Sequence, residues 1–385
     1  MEEERFWGDW TEGGTRTVGT AWRGWGHTMG KGQAISFDEL LREGRRLSMD
    51  EARRIYREAD FHWLGYAAHT IRRRKHPENV VTYVVDRNIN YSNICVCGCR
   101  FCAFFRPPGH PEGYVLEKSA LARKIEETLA LGGTQILLQG GHHPDLPLSF
   151  YEDMLRFIKD RYPVHIHAFS PPEIVFFARR DGIDPAAVIA RLKEAGLDSI
   201  PGGGAEILVD AVRRRVSPNK CSVGEWLGVM EEAHRQGLRT TATMMFGHEE
   251  SPDDRLAHLF ALRDLQDRTG GFTAFIPWTF QPGHTAIERR PETAVSYLRL
   301  LAVSRLVLDN FDNIQASWVT MGPKVAQTAL FFGANDFGST MIEENVVAAA
   351  GVHFRLSLEE IRRIIEDAGF VPKQRTMAYE WIDGS

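Results

Sequence analysis

Four of the five cysteines in this chain, Cys95, Cys97, Cys99 and Cys102, fall within one eight-residue stretch. They lie too close together to staple a chain of 385 residues. In a reducing compartment such clustering points to metal binding or redox chemistry. Cys95, Cys99 and Cys102 read C-x3-C-x2-C. Three thiolates on one short loop can each hold one iron of a cubane 4Fe-4S cluster, which leaves the fourth iron open to a small-molecule ligand. Zinc is the alternative occupant, but a structural zinc site wants four protein ligands, commonly from two C-x2-C pairs. Only one such pair is present, and a zinc site would have to recruit Cys97. Otherwise Cys97 reads as a small spacer within the loop, and Cys221 as a packing or helix-start residue.

A second set of chemically capable residues follows short apolar runs. These are Gln139-Gly140-Gly141, Ser170-Pro171-Pro172-Glu173, Gly202 to Glu206, Gly247-His248-Glu249-Glu250 and Gln281-Pro282-Gly283. Ordinary turn chemistry accounts for any one of them. Five in one register are better explained by a parallel barrel, whose active site is built at the carboxyl ends of its strands. His165 and His167, two apart on a predicted strand, share a face with Phe169.

The elements that would position these groups alternate along the chain. β-rich runs are read at 80–88, 134–141, 164–171, 197–204, 240–247 and 272–280, with weaker ones at 313–320 and 333–340. Amphipathic segments separate them, at 116–131, 150–161, 185–195, 223–236, 252–267 and 292–310. Such alternation predicts an α/β fold, a TIM-type (β/α) barrel of six to eight parallel strands. Residues 37–75 are helical in pattern, with Ser48 and Glu51 spaced as a capping box. The expected division is therefore an N-terminal extension with helices over 1–75 and a barrel with C-terminal elements over 76–385. Residues 1–35, rich in Gly and Trp, show no period.

Composition excludes other classes. Hydrophobic residues make up 43% and charged residues 25%, and the net charge is −5. That is a globular chain with a large core, not a disordered one. It carries no basic excess for nucleic acid or a membrane surface, and the run Arg72 to Lys75 reads as a solvated helix face. No window nears the ~18 apolar residues of a membrane helix. The acidic start MEEERFWGDW is not a secretory signal. The expected location is cytoplasmic.

The C-x3-C-x2-C stretch, with Phe101 before its last cysteine and a strand before it, resembles the radical S-adenosylmethionine superfamily. The resemblance implies a 4Fe-4S cluster on Cys95, Cys99 and Cys102, with S-adenosylmethionine chelating the fourth iron. Gln139-Gly140-Gly141 stands where that superfamily often has Gly-Gly-Glu, so only a backbone role toward the methionine amino group carries over. Thr243-x-Met245-x-Gly247-x-x-Glu250 matches the G-x-I-x-G-x-x-E that holds adenine, with Thr for the first glycine. Glu206 is the candidate for the ribose hydroxyls and Lys220 for the methionine carboxylate. Phe101 and Ser170 complete the expected cofactor contacts.

The likeness narrows further through DRNINYSNIC, GGTQILLQGGHHPDLPLSFYEDMLRFIK, HIHAFSPPEI, GLDSIPGGGAEILVD, TTATMMFGHEE, GGFTAFIPWTFQP, IQASWVTMGPKVAQ and GANDFGSTMIEENV. These resemble the dehypoxanthine futalosine cyclases of menaquinone biosynthesis. The neighbouring families are aminofutalosine synthases and the radical synthases of deazaflavin cofactor assembly. The resemblance implies hydrogen abstraction from the ribose C4′ of dehypoxanthine futalosine, attack on the substrate's aromatic ring, and loss of an electron and a proton. His167, Glu173 and His165 are the candidate proton acceptors. A small protein such as flavodoxin or ferredoxin would be the electron donor. A related synthase with an external acceptor, or a non-enzymatic zinc or iron–sulfur protein, are the competing readings.

Overall fold

The computed structural model describes residues 37–382, and among these ten strands organise the fold. They are β1 (Val80–Val84), β2 (Asp86–Asn90), β3 (Gln135–Gln139), β4 (His165–Ala168), β5 (Ser199–Ile200), β6 (Arg239–Phe246), β7 (Phe272–Thr279), β8 (Asn313–Ile314), β9 (Asp336–Ser339) and β10 (Val371–Gln374). Strands β2 to β8 pair in sequence order as one seven-stranded parallel sheet. Helices connect and cover them, so the strands are buried on both faces. That explains the apolar runs within β3, β6 and β7, whereas β2, Asp86-Arg87-Asn88-Ile89-Asn90, is mostly polar although buried throughout. The α/β barrel expected from the sequence is thus the fold observed.

The run read as one strand over 80–88 divides at Val85. Its first half pairs with β9 and β10 in a separate three-stranded parallel sheet, and only the second half enters the barrel. The stretch from Ala334 to Glu343 then fills the seam between β8 and β2. On one side Asn335 N–H donates to Ile314 O (3.1 Å) and Ala316 N–H to Asp336 O (2.8 Å). On the other, Thr340 N–H donates to Val84 O (2.9 Å) and Ile342 N–H to Asp86 O (3.2 Å). An eighth stave therefore closes the ring.

Helix Met49–Glu58 starts at the capping box read from Ser48 and Glu51. Its Arg53 and Arg57 both reach Asp253, which fastens the N-terminal helices to the barrel wall. Helix Phe61–Lys75 is capped by Asp60. The basic run at its end corrects the reading of a solvated face. Arg73 and Arg74 are exposed, but Arg72 is fully buried. It donates to Val80 O (2.8 Å) and Ala334 O (3.2 Å) and lies 4.3 Å over the Phe370 ring. Helix Pro171–Asp181 was read as strand-end punctuation. Ser170 and Glu173 instead form its capping box. Residues 1–35, read as an aperiodic extension, lie outside the described residues.

Candidate active site

The cysteine loop leaves β2 and is bent back over the sheet's carboxyl end by its own polar side chains. Ser92 Oγ donates to Tyr114 O (2.8 Å) and accepts Ile94 N–H (3.1 Å), while Asn93 bonds Glu112 O and Tyr114 N. Gly98, at φ +59°, supplies a left-handed turn between Cys97 and Cys99. The far side of the loop rests on residues 215–219: Arg100 N–H donates to Val216 O (2.9 Å), and Asn219 Nδ2 to Cys97 O (3.1 Å).

Gln139-Gly140-Gly141 packs directly beneath. Gly141 N–H donates to Ser92 O and Val96 N–H to His142 O. A Cβ on Gly141 would stand 2.1 Å from Ile94 O and 2.9 Å from Cys95 Cβ. Only glycine permits this approach.

Two of the cysteine sulfurs, Cys95 and Cys99, sit in surroundings that favour thiolate. Cys95 Sγ accepts backbone N–H groups from Cys97 (3.4 Å) and His142 (3.3 Å). A hydrogen bond from the Cys97 thiol, those amides and the Lys220 charge hold the Cys95 thiol below its usual range. The Cys97 thiol and Lys220 likewise lower Cys99. Burial pushes Cys102 up. Its neighbours Cys95 and Cys99, together with burial, push the Cys97 thiol up. Among the described residues no three His, Cys, Asp or Glu side chains are already arranged as a metal site. The donor set nonetheless fits an iron–sulfur cluster in its chemistry: adjacent thiols on one loop, amide donors to sulfur, and a lysine to balance thiolate charge.

Lys220 is the electrostatic centre of the mouth. Its ammonium donates to Glu206 Oε1 (2.8 Å) and lies 5.0 Å over the Phe101 ring. Glu206 is 5% exposed. Burial alone would raise its carboxyl, but Lys220 and Arg213 outweigh that and hold it low. Arg213 Nη1 stands 3.4 Å from Glu206 Oε2. Sequence reasoning missed Arg213, because its place in Arg213-Arg214-Arg215 hides the one inward-facing member. Met245 N–H donates to Glu206 O (3.1 Å). Val216, Met245, Phe280 and Ile287 form a small apolar cluster against which Phe101 and Trp278 pack. Gly247, at φ +97°, donates its N–H to Glu250 Oε1 (2.6 Å).

The proton-acceptor candidates separate clearly. Both Glu173 oxygens are occupied: Oε1 by Tyr91 OH (2.6 Å) and Gly140 N–H (3.1 Å), Oε2 by Ser170 N–H and Oγ–H. Burial raises this carboxyl, and its place is under the Gly140 loop. His165 and His167 face each other across Ser199, whose Oγ lies 2.7 Å from His165 Nε2 and 2.7 Å from His167 Nδ1. His167 is 5% exposed, and burial holds it neutral. Asn88, in register with Leu137 and through it with His167, has a buried Oδ1 with no hydrogen-bond partner among the described residues. Neither Ser199 nor Asn88 was singled out from sequence. Ser199 stands in a two-residue strand, and Asn88 in a run that reads as plain strand.

Comparison with known proteins fits this geometry. Residues 89–262 match the model of the Radical SAM superfamily, and residues 269–385 the CofH/MqnC C-terminal region. The chain is 47% identical over 353 residues to a cyclic dehypoxanthine futalosine synthase of Halalkalibacterium halodurans, covering 90% of this chain and 95% of that one. It is 44% identical to a protein of the same name from Streptomyces coelicolor, with 88% and 86% covered. A 5-amino-6-(D-ribitylamino)uracil–L-tyrosine 4-hydroxyphenyl transferase of Methanoculleus marisnigri is 42% identical, with 90% and 97% covered. Among solved structures, methylornithine synthase (PylB) superposes with TM-score 0.68 at 20% identity, covering 87% of this chain and 96% of that one. That likeness bears on the fold alone. Among the described residues no helix is long and apolar enough to cross a membrane.

Proposed function

Because this chain belongs to the radical S-adenosylmethionine superfamily and carries the CofH/MqnC C-terminal region, we propose that it cyclises dehypoxanthine futalosine to cyclic dehypoxanthinyl futalosine. Membership makes it a radical enzyme that uses a 4Fe-4S cluster and S-adenosylmethionine. The observation that carries the finer reading is the 47% identity, sustained over 90% of the chain, to a protein named for that product. When bound, the reduced cluster and S-adenosylmethionine together supply a 5′-deoxyadenosyl radical that takes a hydrogen atom from an unactivated C–H bond. The reducing electron would come from a small donor such as flavodoxin or ferredoxin.

The protein's own work is placement. Cys95, Cys99 and Cys102 would hold the cluster, with Cys97 as a neighbour and not a ligand. Gln139, Gly140 and Gly141 would present backbone to the methionine amino group, in a loop that Glu173 and Ser170 brace from below. Glu206 would take the ribose hydroxyls. With Arg213 as a second cation at 3.4 Å, its charge stays balanced when Lys220 turns to the methionine carboxylate. Met245, Gly247 and Phe101 would line the adenine side. In the lumen, Asn88 Oδ1 would accept a hydroxyl of the substrate's sugar. His167 Nε2 would take the proton lost when the ring regains aromaticity. Of the three candidates it alone combines a neutral ring with a lumen position and a lightly held nitrogen, 3.5 Å from Thr241 Oγ1.

The test is anaerobic reconstitution with iron and sulfide, followed by dithionite, S-adenosylmethionine and dehypoxanthine futalosine. A product two mass units below substrate, with matching 5′-deoxyadenosine, supports the cyclase. The 42% identity to the hydroxyphenyl transferase supports one second reading. Turnover only on 5-amino-6-(D-ribitylamino)uracil with tyrosine would decide for it.

A further inference from the structure

The contacts of Ser199 go beyond what holding two histidines in place requires. A hydroxyl has one proton to give and two lone pairs, so of its two 2.7 Å contacts at least one is an acceptance, and it can take a proton from one imidazole while giving its own to the other. The three groups form a polarised chain with one proton in each gap. His167, at the inner end, shows its other nitrogen to the lumen. Thr241 Oγ1 approaches that nitrogen only at 3.5 Å while accepting Gly202 N–H at 3.0 Å. His165, at the outer end, is the first residue of β4 and is partly exposed. Beside it are Asp198 and Lys159, also partly exposed and paired with each other. Asp198 Oδ2 accepts Ile166 N–H (2.7 Å), which fixes the carboxylate next to the outer imidazole. Ser199 itself is fully buried.

We propose that His167, Ser199 and His165 form a proton wire that carries the proton released on ring closure out of the lumen, to water at the amino-terminal end of the barrel. The proposal rests on the cyclase reading above. The hydrogen atom leaves the ribose carbon as 5′-deoxyadenosine, and the carbon radical forms a C–C bond to the aromatic ring. The ring would then give up one electron, for which the cluster held by Cys95, Cys99 and Cys102 would be the acceptor, and the proton of its attacked C–H bond to His167 Nε2. His167 passes its Nδ1 proton to Ser199 Oγ, whose own proton moves to His165 Nε2. The same proton count leaves as entered, and S-adenosylmethionine is the net oxidant. Loss of the ring proton restores aromaticity and needs no strong base. The arrangement suits that: burial, His165 and Arg375 all disfavour a charge lodged on His167, so the proton moves on. Burial and Lys159 lower His165 as well, but there Asp198 acts in the opposite direction. Ser199 and His165 are positioning residues of the wire, since neither faces the substrate.

The experiment compares full-length reconstituted wild type with Ser199→Ala, Ser199→Thr and His165→Gln. It measures 5′-deoxyadenosine and cyclised product from dehypoxanthine futalosine in the same samples. 5′-Deoxyadenosine reports folding, cofactor loading and substrate binding, so it serves as the internal control. The wire predicts that Ser199→Ala and His165→Gln keep 5′-deoxyadenosine formation but lose cyclised product per 5′-deoxyadenosine by about 10-fold or more. Ser199→Thr, which retains the hydroxyl, should restore the ratio. An unchanged ratio, a fall of both products in proportion, or a threonine variant no better than alanine would overturn the wire and leave the cyclase standing. Absence of cyclised product from wild type itself would overturn the cyclase reading, and the wire with it.

Discussion

Replacing Gly141 by alanine tests whether the close contact of two loops creates the cluster site. The added Cβ would stand 2.1 Å from Ile94 O, against the 3.4 Å at which ordinary contact begins, so the loops must part by roughly 1.3 Å. The obstacle is backbone, so no rotamer change relieves it. Such overpacking costs about 1–3 kcal/mol. Parting the loops also stretches Gly141 N–H to Ser92 O (2.9 Å) and Val96 N–H to His142 O (3.1 Å), at about 1 kcal/mol each. The total is about 3–5 kcal/mol, a drop in melting temperature of roughly 4–6 °C for a chain this size. The same displacement removes the His142 N–H from Cys95 Sγ. Iron and sulfide bound after reconstitution should therefore fall together with stability. Gly228→Ala is the control. It lies within helix Val223–Arg235 with nothing within 4 Å of its Cβ, and should be neutral or stabilising by up to about 1 kcal/mol. If Gly141→Ala melts like wild type and binds its full iron, the steric argument is refuted.

Cys95→Ala, Cys99→Ala and Cys102→Ala should each bind little iron after reconstitution, whereas Cys97→Ala should keep iron and visible absorbance near wild type. Loss of iron in Cys97→Ala would overturn the ligand assignment. Arg375 forms a buried pair with Asp336, so Arg375→Met should destabilise by about 3–5 kcal/mol in urea unfolding, because it strands a buried carboxylate. His234 is lowered to about 4, chiefly by burial, against about 6.5 when unfolded. The unfolded chain therefore takes up the proton first, and His234's contribution, complete above pH 6.5, is lost as pH falls toward 4. Between pH 7 and 4.5, His234→Asn should lose about 1–2 kcal/mol less stability than wild type. Equal slopes would show that His234 is not the titrating group.

The barrel and its cysteine loop were legible because both are written locally. Strands such as β3, β6 and β7, buried on both faces, read as apolar runs, and C-x3-C-x2-C is a spacing within one loop. What could not be read depends on partners distant in sequence. Nothing at Val85 announces that its two sides join different sheets; that is decided by β9 and β10, which lie beyond residue 330. Arg72 and Arg213 sit in basic runs that look solvated, yet each turns inward to acceptors that only the tertiary fold supplies. Pro171-Pro172-Glu173 looked like a turn, because proline punctuates loops and also opens helices at their first turn. The capping box formed by Ser170 and Glu173 would have decided the matter.

The closing stave has a consequence for how the molecule is made. Residues 334–343 join β2 across contacts separated by about 254 positions in sequence, so they are synthesised long after the strand that they close against. Until then the barrel is an open trough whose edge strands lack partners, while the cysteine loop and its glycine neighbours, only some fifty residues apart, have long been available to one another. Contacts so distant in sequence form slowly and leave partly built sheets prone to aggregation. The nascent chain can thus assemble its metal-loading loop early, and must shelter the unclosed trough for most of its synthesis.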